Sequence, residues 1–168
     1  MSNMIWCYMD IAHRFAKQSH AKRLQVGAVV VLENGVIVPG YNGTLPGACN
    51  ECEEILPDGS LKTKPDVLHA EDNVFAKFAS STLSARGGVL FNTDAPCFEC
   101  SKRIAAAKMS KVFYNRTYRD ESGLKLLIIR GISVFRMTLE PKKKLEMLDL
   151  PGSEIRYTEI SPGIWESV

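Results

Sequence analysis

Four side chains in two short segments carry the chemistry in this chain: His69 and Glu71 in His69-Ala70-Glu71, and Cys97 and Cys100 in Pro96-Cys97-Phe98-Glu99-Cys100. One imidazole and two thiolates form a ligand set of the right softness for zinc. Three protein ligands leave one tetrahedral position open, and an open position is where zinc activates water; a scaffolding site closes all four. Glu71, two residues after the histidine, is not needed as a ligand and is free to move protons. The bland alternative is a structural zinc site, which wants a fourth strong ligand that neither segment fixes. His-x-Glu alone is a weak signal and Cys-x-x-Cys a moderate one. Both together, in this order and with Pro96 before the first cysteine, favour the catalytic reading.

The hydrophobic spacing predicts that both segments open helices. One runs from His69 through Val74, Phe75 and Phe78 to about Ala79, the other from Cys97 through Ile104 to Ala107. A pair at i, i+3 points both thiolates in one direction. Helix N-termini carry partial positive charge, which favours thiolate over thiol. Two converging N-termini would therefore close one metal site from segments distant in sequence.

Around these lie the elements that must position them. Met4, Ile5, Tyr8, Ile11, Ala12 and Phe15 share one face of a first helix, roughly residues 3–18. The β-branched run 26–31 reads as a buried strand, Glu33-Asn34-Gly35 as a hairpin turn, and Val36-Ile37-Val38 as its antiparallel partner. Residues 39–68 read as a long connection rich in glycine and proline, of the kind that is functional or disordered. Strands are expected at 89–91, 112–114 and 132–135, a helix at 123–129, and a last helix from Pro141 to about Leu150. The order α-β-β-α-β-α-β-α-β-α implies an α/β fold, a three-layer α/β/α sandwich around a mixed sheet of about five strands. One domain over residues 1–168 is expected, with 150–168 as a C-terminal tail.

Bulk properties narrow the partners. The 168 residues suffice for one hydrophobic core, and 45% apolar with 24% charged residues is ordinary for a soluble globular chain. With 21 basic against 19 acidic residues, the net charge of +2 disfavours a nucleic-acid wrapper, whereas a small anionic substrate needs only a local cluster. Lys142-Lys143-Lys144 reads as a solvated helix face. No apolar run is long enough for a membrane helix and no signal peptide is apparent. Five cysteines, two in a metal-type pair, suit a reducing cytoplasm.

His-x-Glu followed by Pro-Cys-x-x-Cys is the signature of zinc nucleobase deaminases, in which water attacks the ring carbon bearing the exocyclic amine. Zinc lowers the pKa of water towards ~7. Glu71 would take the water proton and deliver it to the ring nitrogen and the departing amine. At this level of detail the chain resembles the deoxycytidylate (dCMP) deaminases, phage members above all. The resemblance covers most of residues 20–137 and rests on Gln25-Val26-Gly27-Ala28-Val29-Val30, Gly40-Tyr41-Asn42-Gly43, His69-Ala70-Glu71-Asp72-Asn73, Pro96 to Lys102, Lys111-Val112-Phe113-Tyr114, Tyr118-Arg119-Asp120, Gly123-Leu124 and Gly131-Ile132-Ser133-Val134. It implies the cytidine deaminase-like fold, zinc-dependent hydrolysis of dCMP to dUMP, and supply of dUMP for thymidylate synthesis. It also implies a homo-oligomer, often a hexamer, with dCTP and dTTP as effectors. Alternatives are a deaminase of 5-methyl- or 5-hydroxymethyl-dCMP, of a free nucleoside or base, or of nucleic acid, and a non-catalytic nucleotide-binding zinc protein.

By the same resemblance Asn42 contacts sugar or base, although a turn asparagine is its simpler reading. The Ala70 N–H would donate to the cytosine carbonyl, because first-turn amides lack helical partners. Tyr118 would stack or hydrogen-bond near the substrate, unless it is an ordinary core tyrosine. Lys22, Arg23, Lys102, Arg116 and Arg119 are the cations available for the 5′-phosphate, and the sequence does not choose among them. Cys49 and Cys52, with His20, are candidates for a second, structural zinc, Cys7 and His13 being further options. Three features depart from the family pattern: Asp72, expected exposed or paired; Leu45, an extra loop residue; and Asn92-Thr93-Asp94-Ala95, which puts substrate preference in question.

Overall fold

The expected βα alternation is realised around six strands. A computed structural model describes residues 2–139, 144–148, 157–161 and 164–167. Helix α1 (Ser2–Ala16) leads into β1 (Gly27–Val31) and β2 (Ile37–Tyr41), which pair antiparallel from Gly27↔Tyr41 to Val31↔Ile37. A small antiparallel hairpin, β3 (Glu53–Ile55) and β4 (Leu61–Thr63), interrupts the long connection. Then follow α2 (Ala70–Ala79), β5 (Val89–Asp94), α3 (Phe98–Ala106), β6 (Lys111–Arg116), α4 (Ser122–Ile129), β7 (Ser133–Thr138) and β8 (Lys144–Leu148). Strands β9 (Tyr157–Ser161) and β10 (Ile164–Ser167) pair with each other within the segment expected as a tail.

The main sheet runs β2-β1-β5-β6-β7-β8, with β5, β6 and β7 parallel and the flanking pairs antiparallel. Period-2 alternation sends side chains to two different cores. On one face Val29, Phe91, Phe113 and Phe135 pack under Trp6, Met9 and Ala12 of α1. The three phenylalanines stack in register across the parallel strands, ring centroids 4.8 and 4.7 Å apart. On the other face Ala28, Val30, Leu90, Val112 and Val134 meet Val74, Phe78, Ile104, Leu124 and Leu127 of α2, α3 and α4. This is the three-layer sandwich.

Two expectations are corrected. The segment after Pro141 is not a helix: residues 144–148 form edge strand β8, antiparallel to β7, raising the sheet from about five strands to six. Leu145 and Met147 alternate with polar Lys144 and Glu146, a period-2 pattern that the open edge of β7 selects over helix-forming residue types. Lys142 and Lys143 lie outside the described residues. The buried stripe of α1 is also rotated, centring on Trp6, Met9, Ala12 and Ala16, while Met4 is 49% exposed.

Candidate active site

The three ligand-type side chains converge because both helices begin at the same end of the sheet. His69 is the N-cap of α2 and Cys97 the N-cap of α3, each with extended backbone before the first turn. His69 Nδ1 lies 3.6 Å from Cys97 Sγ and 3.3 Å from Cys100 Sγ. Tetrahedral zinc with Zn–N of ~2.0 Å and Zn–S of ~2.3 Å requires an N···S separation of about 3.5 Å, which the two observed separations bracket, so the donor set fits the ion. Among the described residues these three form the one group of three or more His, Cys, Asp or Glu side chains able to hold a metal.

The protonation pattern of the trio is that of ligands sharing protons in place of a cation. The hydrogen bond with Cys100, and next that with His69, pull the Cys97 thiol down to about 3; the bond to Cys97 holds the His69 imidazolium up to about 9. Cys100, on the other side of the shared bond and buried, is pushed far up. A divalent cation at their centre displaces these protons and takes two thiolates and a neutral imidazole.

Glu71 sits one residue into α2, 4% exposed, and burial pushes its carboxyl up to about 7. Asn92, near the end of β5, donates from Nδ2 to Glu71 Oε1 at 2.8 Å. Asp72 is paired, as expected: its carboxylate accepts the His69 N–H at 3.4 Å and meets Arg103 Nη1 at 3.2 Å, tying the start of α2 to α3. Two glycines allow this crowding. A Cβ on Gly40 would lie 2.6 Å from the Ala70 carbonyl, and one on Gly123 2.6 Å from the Pro96 carbonyl, so only glycine lets β2 and α4 press against the two helix starts.

A cavity of about 450 Å³ opens over this group, a volume typical of small-molecule sites. Ala70, Asn42 and Tyr118 all line it. Asn42 is committed to backbone, Oδ1 accepting from Val26 N and Nδ2 donating to the Leu24 carbonyl, each at 2.8 Å. The Arg119 guanidinium lies 5.9 Å from the Tyr118 ring centroid. Of the five candidate phosphate cations, Arg23 and Arg119 line the cavity. Lys22 faces a neighbouring cavity instead. Lys102 pairs with Glu99 at 2.7 Å, and Arg116 is held by Asp94 at 2.7 Å and the Gln25 carbonyl at 2.9 Å.

Among the described residues Cys49, Cys52 and His20 form no three-ligand group: Cys49 is exposed, while Cys52 is buried and lines a neighbouring cavity with His20.

Sequence reasoning passed over Glu53 and gave Asn92 and Asp94 no role. Glu53 Oε1 accepts the backbone N–H groups of Lys22 and Arg23 at 3.0 and 3.1 Å, and Arg23 Nη1 donates to Thr63 at 3.1 Å. These contacts pin the β3–β4 hairpin over the cavity. The sequence signals for Asn92 and Asp94 were a polar stretch at the end of a strand that is otherwise apolar and the departure of residues 92–95 from the family pattern.

Comparison with known proteins agrees with this geometry. Residues 4–116 match the cytidine and deoxycytidylate deaminase zinc-binding region. Deoxycytidylate deaminase of Saccharomyces cerevisiae is 33% identical over 147 residues, covering 80% of this chain and 46% of the relative. That of Schizosaccharomyces pombe is 32% identical over 146 residues, covering 82% and 45%. The chain thus spans about half the length of these fungal relatives. The crystal structure of dCMP deaminase from the cyanophage S-TIM5, in complex with dCMP and dUMP, superposes with a TM-score of 0.75 at 43% identity, covering 82% of this chain and 98% of that one. With more than half of its length matching that family's model, this chain belongs to the zinc-binding cytidine and deoxycytidylate deaminase family.

Proposed function

We propose that the chain is a hydrolase that deaminates dCMP to dUMP and ammonia with zinc, supplying dUMP for thymidylate synthesis. The observation that carries this reading is one cavity lined by His69, Cys97 and Glu71 together with Arg23 and Arg119. That is a metal-assisted proton-transfer site within the same enclosure as two cations suited to a phosphate.

His69, Cys97 and Cys100 would hold zinc, which when bound makes water acidic enough to serve as a nucleophile near neutral pH. Glu71 takes one proton from that water and passes it to the ring nitrogen as the water oxygen bonds to the amine-bearing carbon; it then takes the second proton from the new hydroxyl and passes it to the amine, so that the C–N bond breaks and ammonia leaves. A carboxyl with a pKa of about 7 is matched to both halves of that task. The Ala70 N–H, unpaired within its helix, orients the cytosine carbonyl. Asn42 braces the segment Leu24–Val26 on which the sugar would rest, and Tyr118 covers the base. Arg23 and Arg119 take the 5′-phosphate, each offering a planar fork of donors.

A 5-methyl- or 5-hydroxymethyl-dCMP is the second reading, favoured by Asn92, Asp94 and Ala95 in the cavity wall. A free nucleotide rather than a polymer is the proposed substrate, with a cytoplasmic, homo-oligomeric and hexameric enzyme responding to dCTP and dTTP. Among the described residues no helix is long and apolar enough to cross a membrane.

The test is ammonia release by zinc-loaded protein from dCMP, CMP, deoxycytidine, the two 5-substituted dCMPs and single-stranded oligonucleotide, with and without dCTP. Turnover of a deoxycytidine monophosphate is expected. Turnover of none overturns the reading.

A further inference from the structure

Asn92 is 1% exposed and its Oδ1 has no hydrogen-bond partner among the described residues. The amide nitrogen faces Glu71, the arrangement an ionised carboxylate requires because it can only accept, and the oxygen is left without that partner. Position 92 lies mid-sheet, its backbone held between Ala28 of β1 and Tyr114 of β6. The residue lines the cavity beside Glu71, Asp94 and Ala95. A buried acceptor left unpaired costs the full desolvation of that atom, and a leucine of similar shape would avoid it. An aspartate would place a second carboxylate against Glu71 and oppose its ionisation. Of these three side chains only an amide both donates to Glu71 and carries an acceptor with no partner among the described residues, on a residue that lines the cavity.

We propose that Asn92 is a positioning and specificity residue, whose Nδ2 holds the Glu71 carboxylate and whose Oδ1 receives an N–H of the substrate's exocyclic amine. This rests on the aminopyrimidine deaminase reading above. The amine carries two donors, whereas the carbonyl that replaces it in the product carries none. The same oxygen that meets a donor in the substrate therefore meets another acceptor in the product. Asn92 would favour binding of the 4-amino ring and release of the 4-oxo ring.

The experiment uses the zinc-loaded full chain carrying Glu71→Gln, which keeps the acceptor for Asn92 Nδ2 but cannot shuttle protons. Calorimetric titration with dCMP and with dUMP is expected to show a preference for dCMP of about ten-fold, the worth of one hydrogen bond. Adding Asn92→Leu should bring that ratio close to one, while Asn92→Asp, which keeps an acceptor but loses the amide donor, should preserve it. With Glu71 intact, both substitutions should lower kcat on dCMP by about ten-fold, because both remove the donor to the carboxylate. If Asn92→Leu fails to retain zinc, Asn92→Ser, too short to reach Glu71, carries the same expectation as leucine. An unchanged dCMP-to-dUMP ratio in the leucine or serine variant overturns the inference, provided the parent turns over dCMP. A parent that turns over no deoxycytidine monophosphate overturns the deaminase reading and this inference together.

Discussion

His69 Nδ1 and Cys100 Sγ lie 3.3 Å apart although 31 residues separate them in the chain. An imidazole nitrogen and a sulfur brought that close, with Cys97 Sγ completing the trio, make a three-point zinc site with no fourth protein ligand among the described residues. Elemental analysis of purified protein should therefore give about one zinc per chain, falling near zero in His69→Ala, Cys97→Ala or Cys100→Ala. Cys49→Ser and Cys52→Ser should leave the content unchanged, since those thiols join no three-ligand group. Two zincs per chain in the parent would contradict this.

Glu71 touches no ligand role and is placed to carry protons. Glu71→Gln should keep the zinc and lose about 10²–10⁴ in kcat on dCMP. Retained turnover at the parent rate would remove the proton-shuttle assignment.

Zinc-free protein should show the cost of burying that carboxyl. Glu71 is held up to about 7 by burial against an unfolded value of 4.5, so between those values the folded state carries more protons than the unfolded. Stability from this group is then fully present below about pH 4.5, declines as pH rises, and is lost above about pH 7. At ~1.4 kcal/mol per pH unit the decline is about 3 kcal/mol. Urea unfolding of zinc-free parent and Glu71→Gln at both ends of this range should show the parent losing that much relative to the glutamine variant. A gap that stays constant with pH would contradict the assignment.

Arg23 and Arg119 share the cavity wall whereas Lys22 and Lys102 do not. Arg23→Ala and Arg119→Ala should each raise KM for dCMP about ten-fold or more with little effect on deoxycytidine, since only the nucleotide carries the phosphate. Lys102→Ala should change neither, because its ammonium is an exposed partner of Glu99.

Gly123 presses α4 against the turn that presents Cys97. A methyl group there would lie 2.6 Å from the Pro96 carbonyl and 2.7 Å from Ser101 Oγ. Gly123→Ala should cost about 1–3 kcal/mol of stability and hasten zinc loss to a chelator, measured by thermal unfolding and metal release. An unshifted melting temperature would show that α4 can move aside.

Local patterns sufficed for helices α1 to α4, for strands β1, β2, β5, β6 and β7, and for the four central side chains. Hydrophobic period and short ligand spacing are properties of neighbouring residues, and each is written in a window of a few positions. Segments whose conformation depends on distant partners were not readable in this way. Residues 144–148 have helix-forming types but pair with the edge of β7, and the β3–β4 hairpin is secured by Glu53 against amides thirty residues earlier. The same division runs through the site. Spacing identified His69, Glu71, Cys97 and Cys100 as a set, while only the folded chain selected Arg23 and Arg119 from five equivalent cations and set Asn92 against Glu71. A residue's type shows what chemistry it can perform, but burial and the direction it faces arise from contacts between segments far apart in the chain.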